Sequence, residues 1–200
     1  MKTMADPALD LSGYWTYRDL KERPEEERWE LIDGEAYLMS SPTVKHQDLV
    51  LDYGIALRAA IKGKPCKALI APLDILFPAA PGQDEDEVDT VLQPDLIVVC
   101  DGSKVRERHV RGAPDLVIEI LSRTTTKRDL RDKFAVYEKH GVREYWIVDP
   151  EKAWLTRFVR TAEGRFDAGE TRIKGMKGDP LLSTVIEGFS IDARELPGGD

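Results

Sequence analysis

Cysteine is scarce in this chain: Cys66 and Cys100 are the only two among 200 residues, and neither belongs to a CxxC pair. A cysteine-rich zinc site and a disulfide framework are therefore not expected, and a reducing cytoplasm is the default compartment. Long apolar runs are missing as well. The longest, Leu96 to Cys100, falls far short of the roughly 20 residues that a membrane-spanning helix requires, so no membrane partner is expected. The opening MKTMADPALD acquires acids before any apolar stretch and lacks the shape of a secretory signal. Basic charge does not predominate: 29 Lys and Arg stand against 37 Asp and Glu, for a net charge of −8. An evenly basic coat for nucleic acid or anionic lipid is excluded, so any phosphate-binding surface must be local. His46, His109 and His140 have no spacing diagnostic of zinc. There is also no GxxxxGK[ST] phosphate loop, no HExxH, no GxSxG elbow and no Gly-rich dinucleotide fingerprint.

The chain has 42% hydrophobic and 33% charged residues, the composition of a folded domain, and its length suits one domain over residues 1–200. WELID and EAYLM flank Asp33-Gly34, a pair that favours a two-residue turn, and predict a leading β-hairpin over 29–40. Val50, Tyr53, Leu57 and Ile61 recur at three- and four-residue steps and predict an amphipathic helix over 43–61. Three apolar runs follow, CKALIAPLDILF, VLQPDLIVV and APDLVIEIL, expected as neighbouring strands of a central sheet. The acidic loop 82–90 between the first two reads as a solvated connection. TTTKRDLRDKFAVYEKHG predicts a second helix ending at Gly141, then REYWIVD a strand, then short alternating segments to the C-terminus. The expected fold is mixed α/β: a central mixed sheet flanked by helices, with an N-terminal hairpin and a β-rich extension over about 151–195.

Glu119 stands out within LVIEIL. Both faces of such a strand are usually covered, and an unpaired carboxylate there would cost several kcal/mol, so it needs a cation, a metal or a proton. Alternation groups it with Asp115, Val117 and Leu121 near the strand's C-terminal end. Asp95 follows Pro94 at the entrance to Leu96–Val99 and would meet Glu119 if the two strands were adjacent; a Pro-Asp pair is also a common strand-entry device. On the second helix Lys133 falls inside the arc of Leu130, Phe134 and Tyr137, either pointing at the sheet or snorkelling to solvent, with His140 along the same side. Two carboxylates and a lysine suit phosphodiester hydrolysis. Carboxylates hold Mg²⁺ or Mn²⁺ together with water and substrate phosphate, while the lysine orients water and offsets transition-state charge. Two segments give local positive charge: Lys104, Arg106, Arg108 and Arg111, then Arg123, Lys127, Arg128, Arg131 and Lys133.

The words ELIDGE, SPTVKHQDL, QPDLIVV, APDLVIEILS and RDLRDKFAVYEKHGVREYWIVDP, over about residues 29–150, resemble the Uma-two family of restriction-endonuclease-like proteins, within the PD-(D/E)XK nuclease superfamily. The resemblance implies a restriction-endonuclease-like core and a metal-dependent endonuclease acting on DNA. Asp95 and Glu119 become its metal-binding acids. The superfamily's lysine normally lies two residues after the second acid, where this chain has Leu121; Lys133 in RDLRDK matches the lysine of the Uma-two motif. Glu30 and His46 are implied as pocket residues, against an exposed hairpin acid and a helix-end histidine; Ser122 and Asp129 match the motif too, but helix capping accounts for them as well. Arg123, Lys127 and Arg128 are candidate nucleic-acid contacts. A catalytically inactive binding or regulatory module on the same fold, and a homodimer, stay open.

Overall fold

The computed structural model describes residues 13–122 and 129–197. A short helix α1 (Tyr17–Lys21) precedes the hairpin of β1 (Trp29–Ile32) and β2 (Glu35–Leu38), with Asp33 and Gly34 both at positive φ in its turn. That backbone favours glycine, and a Cβ on Gly34 would also collide with the Tyr14 ring. Helix α2 (Val44–Ala60) begins at Thr43, whose hydroxyl accepts the His46 N–H at 3.2 Å.

The three apolar runs do not form one sheet. CKALIAPLDILF divides into β3 (Lys67–Ile70) and β4 (Asp74–Leu76), with a cis Ala71-Pro72 bond between them; VLQPDLIVV divides into β5 (Val91–Leu92) and β6 (Leu96–Val99) around Pro94. Proline cannot donate to a ladder, and at both places the chain passes from one sheet to another. With β7 (His109–Arg111), a five-stranded sheet runs β2-β1-β5-β4-β7. The second sheet contains β8 (Leu116–Ile120), β9 (Glu144–Asp149), β10 (Trp154–Val159) and β11 (Glu170–Ile173), in the order β11-β10-β9-β8-β6-β3. It is antiparallel except between β8 and β9, so it is a mixed sheet as expected. The crossover from β8 to β9 ends in a π-helical turn (Asp129–Lys133) and α3 (Phe134–His140), which stops at Gly141 in the left-handed region. A small ribbon of β12 (Leu181–Leu182) and β13 (Ser190–Ile191) completes the fold.

Strand β8 is buried on both faces. Leu116, Ile118 and Ile120 join a core with α2, Trp146 and C-terminal residues such as Phe189 and Ile191. Val117 and Leu121 face a second core containing Phe77, Tyr137 and Tyr145. Glu119 shares that second face, as alternation requires. The acidic loop is a fastening rather than a solvated connection: Asp86 pairs with Lys21 of α1, Asp89 accepts from Tyr14, and Glu85 lies 3.2 Å from His109 Nε2. The cysteines also depart from expectation. Cys66 and Cys100 are joined as a disulfide because they stand opposite each other one step beyond the Lys67–Val99 pair of the β3–β6 ladder. Among the described residues no helix is long and apolar enough to cross a membrane.

Candidate active site

The β6–β8 ladder pairs Leu96 with Ile118, and one further antiparallel step sets Asp95 opposite Glu119. Asp95 Oδ2 accepts the Ile120 N–H at 2.8 Å and lies 3.1 Å from His46 Nε2 in the first turn of α2. Strand register and a helix terminus thus both hold this carboxylate, which keeps 13% of its side chain exposed.

Glu119 lies deeper, with 3% exposed. Its Oε1 accepts from Lys133 Nζ at 3.0 Å and from the Tyr137 hydroxyl at 2.6 Å. Lys133 does not snorkel: it is 2% exposed, and its ammonium also lies 2.8 Å from Oε1 of the fully buried Glu30. Glu30 in turn accepts the Gln93 N–H at 3.0 Å. Lys133 and Tyr137 are four residues apart, so α3 and the turn before it present both donors on one side. Burial, reinforced by the Glu119 charge, drives the Tyr137 pKa well above the ordinary phenol range, so the hydroxyl remains a donor. Behind this network Asp74 accepts from Gln93 Nε2 at 2.8 Å; burial raises its carboxyl pKa, and that hydrogen bond partly opposes the rise.

Asp95, Glu119, Lys133 and His46 all border one cavity of about 740 Å³, together with Arg28 and Lys45. The three side chains expected to converge therefore do so, and His46 joins them. Glu30 is not on the cavity wall; it stands behind Lys133 and reaches the site through that ammonium. The basic segment 104–111 does not border the cavity. Lys104 Nζ donates to the Ala113 carbonyl at 2.8 Å, while Arg111 donates to the Gln83 carbonyl and lies 3.7 Å from Glu85. Arg123, Lys127 and Arg128 lie outside the described residues.

Sequence reasoning missed Arg28, Lys45, Gln93 and the polar role of Tyr137. Gln93 offered a signal, as a polar residue interrupting an apolar run just before Pro94-Asp95; the spacing of Tyr137 from Lys133 was another. Arg28 is held by Gln93 Oε1 at 2.9 Å, and Lys45 by the Pro150 carbonyl at 2.8 Å. Among the described residues no three His, Cys, Asp or Glu side chains form a group that could hold a metal ion. Asp95 and Glu119 instead supply hard oxygen donors from one wall, a set that fits Mg²⁺ or Mn²⁺, ions that retain water and accept substrate phosphate.

The six-stranded sheet, its helices and the strand-end cavity define a mixed α/β fold. A crystal structure of a "putative nuclease belonging to DUF820" from Anabaena variabilis ATCC 29413 has the same fold, with a TM-score of 0.68, 19% identity, and coverage of 89% of this chain and 94% of that one. Residues 15–194 match the family described as "Uma2: Putative restriction endonuclease", and the chain belongs to that family. No curated protein matches it.

Proposed function

We propose that this protein is a divalent-metal-dependent endonuclease that hydrolyses phosphodiester bonds in DNA. The observation supporting this most strongly is the meeting of Asp95 and Glu119, from adjacent strands, with Lys133 on the wall of one cavity. Asp95 and Glu119 would hold Mg²⁺ or Mn²⁺. The chemistry such an ion supplies when bound is Lewis-acid polarisation of the scissile phosphate. Lys133 orients the attacking water and offsets charge developing on the phosphate oxygens. Tyr137 and Glu30 set the position of that lysine and of Glu119, while His46 sets the position of Asp95. Arg28 and Lys45 at the cavity would bind neighbouring phosphates, as would Arg123, Lys127 and Arg128, which follow β8 in the sequence.

Incubation with single- and double-stranded DNA across several divalent ions tests the reading. Cleavage should require the ion and fall by about 10²-fold or more in Asp95→Asn and Glu119→Gln, with the circular dichroism spectrum unchanged. Cleavage unaltered in both folded variants would remove the assignment. A second reading, a binding module without turnover, draws on Leu121, an apolar residue at the superfamily's lysine position that is buried in the second core. Salt-sensitive DNA binding with no cleavage under any ion would favour it.

A further inference from the structure

The outer face of α2 carries Val44, Asp48, Leu51, Ile55 and Arg58 at alternating four- and three-residue steps, and all five are exposed. At helical pitch they occupy an arc of about 80°, turned away from the buried Leu49, Val50 and Leu57. Leu51 and Ile55 are 59% and 60% exposed. They rim an apolar groove of about 570 Å³ between α2 and β3, whose other wall includes Ile70 and Leu73. Strand β3 ends the six-stranded sheet, and among the described residues no strand pairs with its outer edge. Two large aliphatic side chains standing in water beside an open sheet edge form a surface suited to burial against another protein.

We propose that this face joins two copies of the chain, with α2 packed antiparallel against the partner's α2. A two-fold contact demands a surface complementary to itself, and this stripe meets that demand. It has an acid toward its N-terminal end, aliphatic residues in the middle and a base toward its C-terminal end. Antiparallel packing sets Leu51 against the partner's Ile55 and Asp48 against the partner's Arg58, and symmetry repeats each contact. Parallel packing would instead oppose Asp48 to Asp48 and Arg58 to Arg58. Nucleic acid is a poor occupant because the centre is aliphatic and Asp48 and Asp52 flank it; an anionic membrane is disfavoured by the same acids. The 4-3 spacing is that of a helix-helix seam. Val50 and Pro72 border both this groove and the site cavity, so the pairing places two cavities beside one interface. The assignment stands independently of whether the cavity cleaves DNA.

Sedimentation equilibrium on the full chain over a concentration series tests it, using wild type, Asp48→Arg, Arg58→Asp and the double reversal. Wild type should be a dimer. Each single reversal should weaken self-association by at least about tenfold, through like charges brought together, and the double reversal should recover most of the loss. Circular dichroism on each variant establishes that the exposed substitutions leave the fold intact. A monomeric wild type, a dimer indifferent to the single reversals, or a double reversal no better than the singles would each overturn the proposal.

Discussion

The two carboxylates of the site face each other across a ladder yet live under different regimes. Asp95, at the cavity mouth, is held by a backbone N–H and by an imidazole, and it retains contact with solvent. Glu119 is enclosed, with an ammonium and a phenol on one of its oxygens. An acid held by a backbone donor and a histidine can exchange partners when a ligand arrives. An acid clamped by a buried lysine cannot do so without disturbing Glu30 as well, because the same ammonium serves both. The mouth thus has the looser hold and the interior the fixed one; on the proposed reading, that fixed geometry is the preorganisation on which electrostatic catalysis depends.

Breaking the interior should therefore cost folding as well as function. Lys133→Ala leaves Glu30 and Glu119 buried without their shared cation, and the expected loss is about 3–5 kcal/mol in urea denaturation. Stability equal to wild type would show that the interior is no more rigid than the mouth. A smaller effect is expected from Tyr137→Phe, which keeps the ring packing but removes one donor from Glu119; about 1–3 kcal/mol should be lost. The smallest effect sharpens the contrast by pH. His140 packs against Phe77 at a ring-centroid distance of 5.2 Å, and burial, aided by Lys139, lowers its pKa. Because the neutral form is the one the fold favours, its contribution is complete above the free-histidine value of 6.5 and is lost as pH falls through that value toward the lowered one. Denaturation of His140→Gln should accordingly show a shallower loss between about pH 7.5 and about pH 5.5, roughly one unit on each side of a histidine titration.

Much of the site was legible because it follows local rules. Period-two alternation isolated Glu119 among apolar neighbours, the Asp33-Gly34 pair marked the hairpin, and helical spacing put Lys133 inside the apolar arc, where it could point at the sheet or snorkel. What escaped depends on contacts between distant segments. The depth of Lys133 is set by Glu30, delivered from the hairpin of the other sheet, and no spacing within the crossover could disclose that. At α-helical pitch Leu130 falls within the apolar arc, yet it is 44% exposed. It lies in the π-helical turn, where the angular step per residue differs from that of an α-helix, so a wheel drawn at α pitch misplaces it. The apolar runs looked continuous because side-chain periodicity is blind to a change of sheet at Pro72 or Pro94.

The parallel pairing of β8 and β9 carries a consequence for how the lysine reaches the acids. Parallel neighbours cannot be linked by a tight turn, so the chain must travel back across the sheet before β9 begins. Lys133 belongs to that return journey, whereas Leu121 directly follows the outgoing strand, yet both border the same hollow. The chain thus visits one hollow twice, once on leaving the strand with an aliphatic side chain and once on returning with a cation.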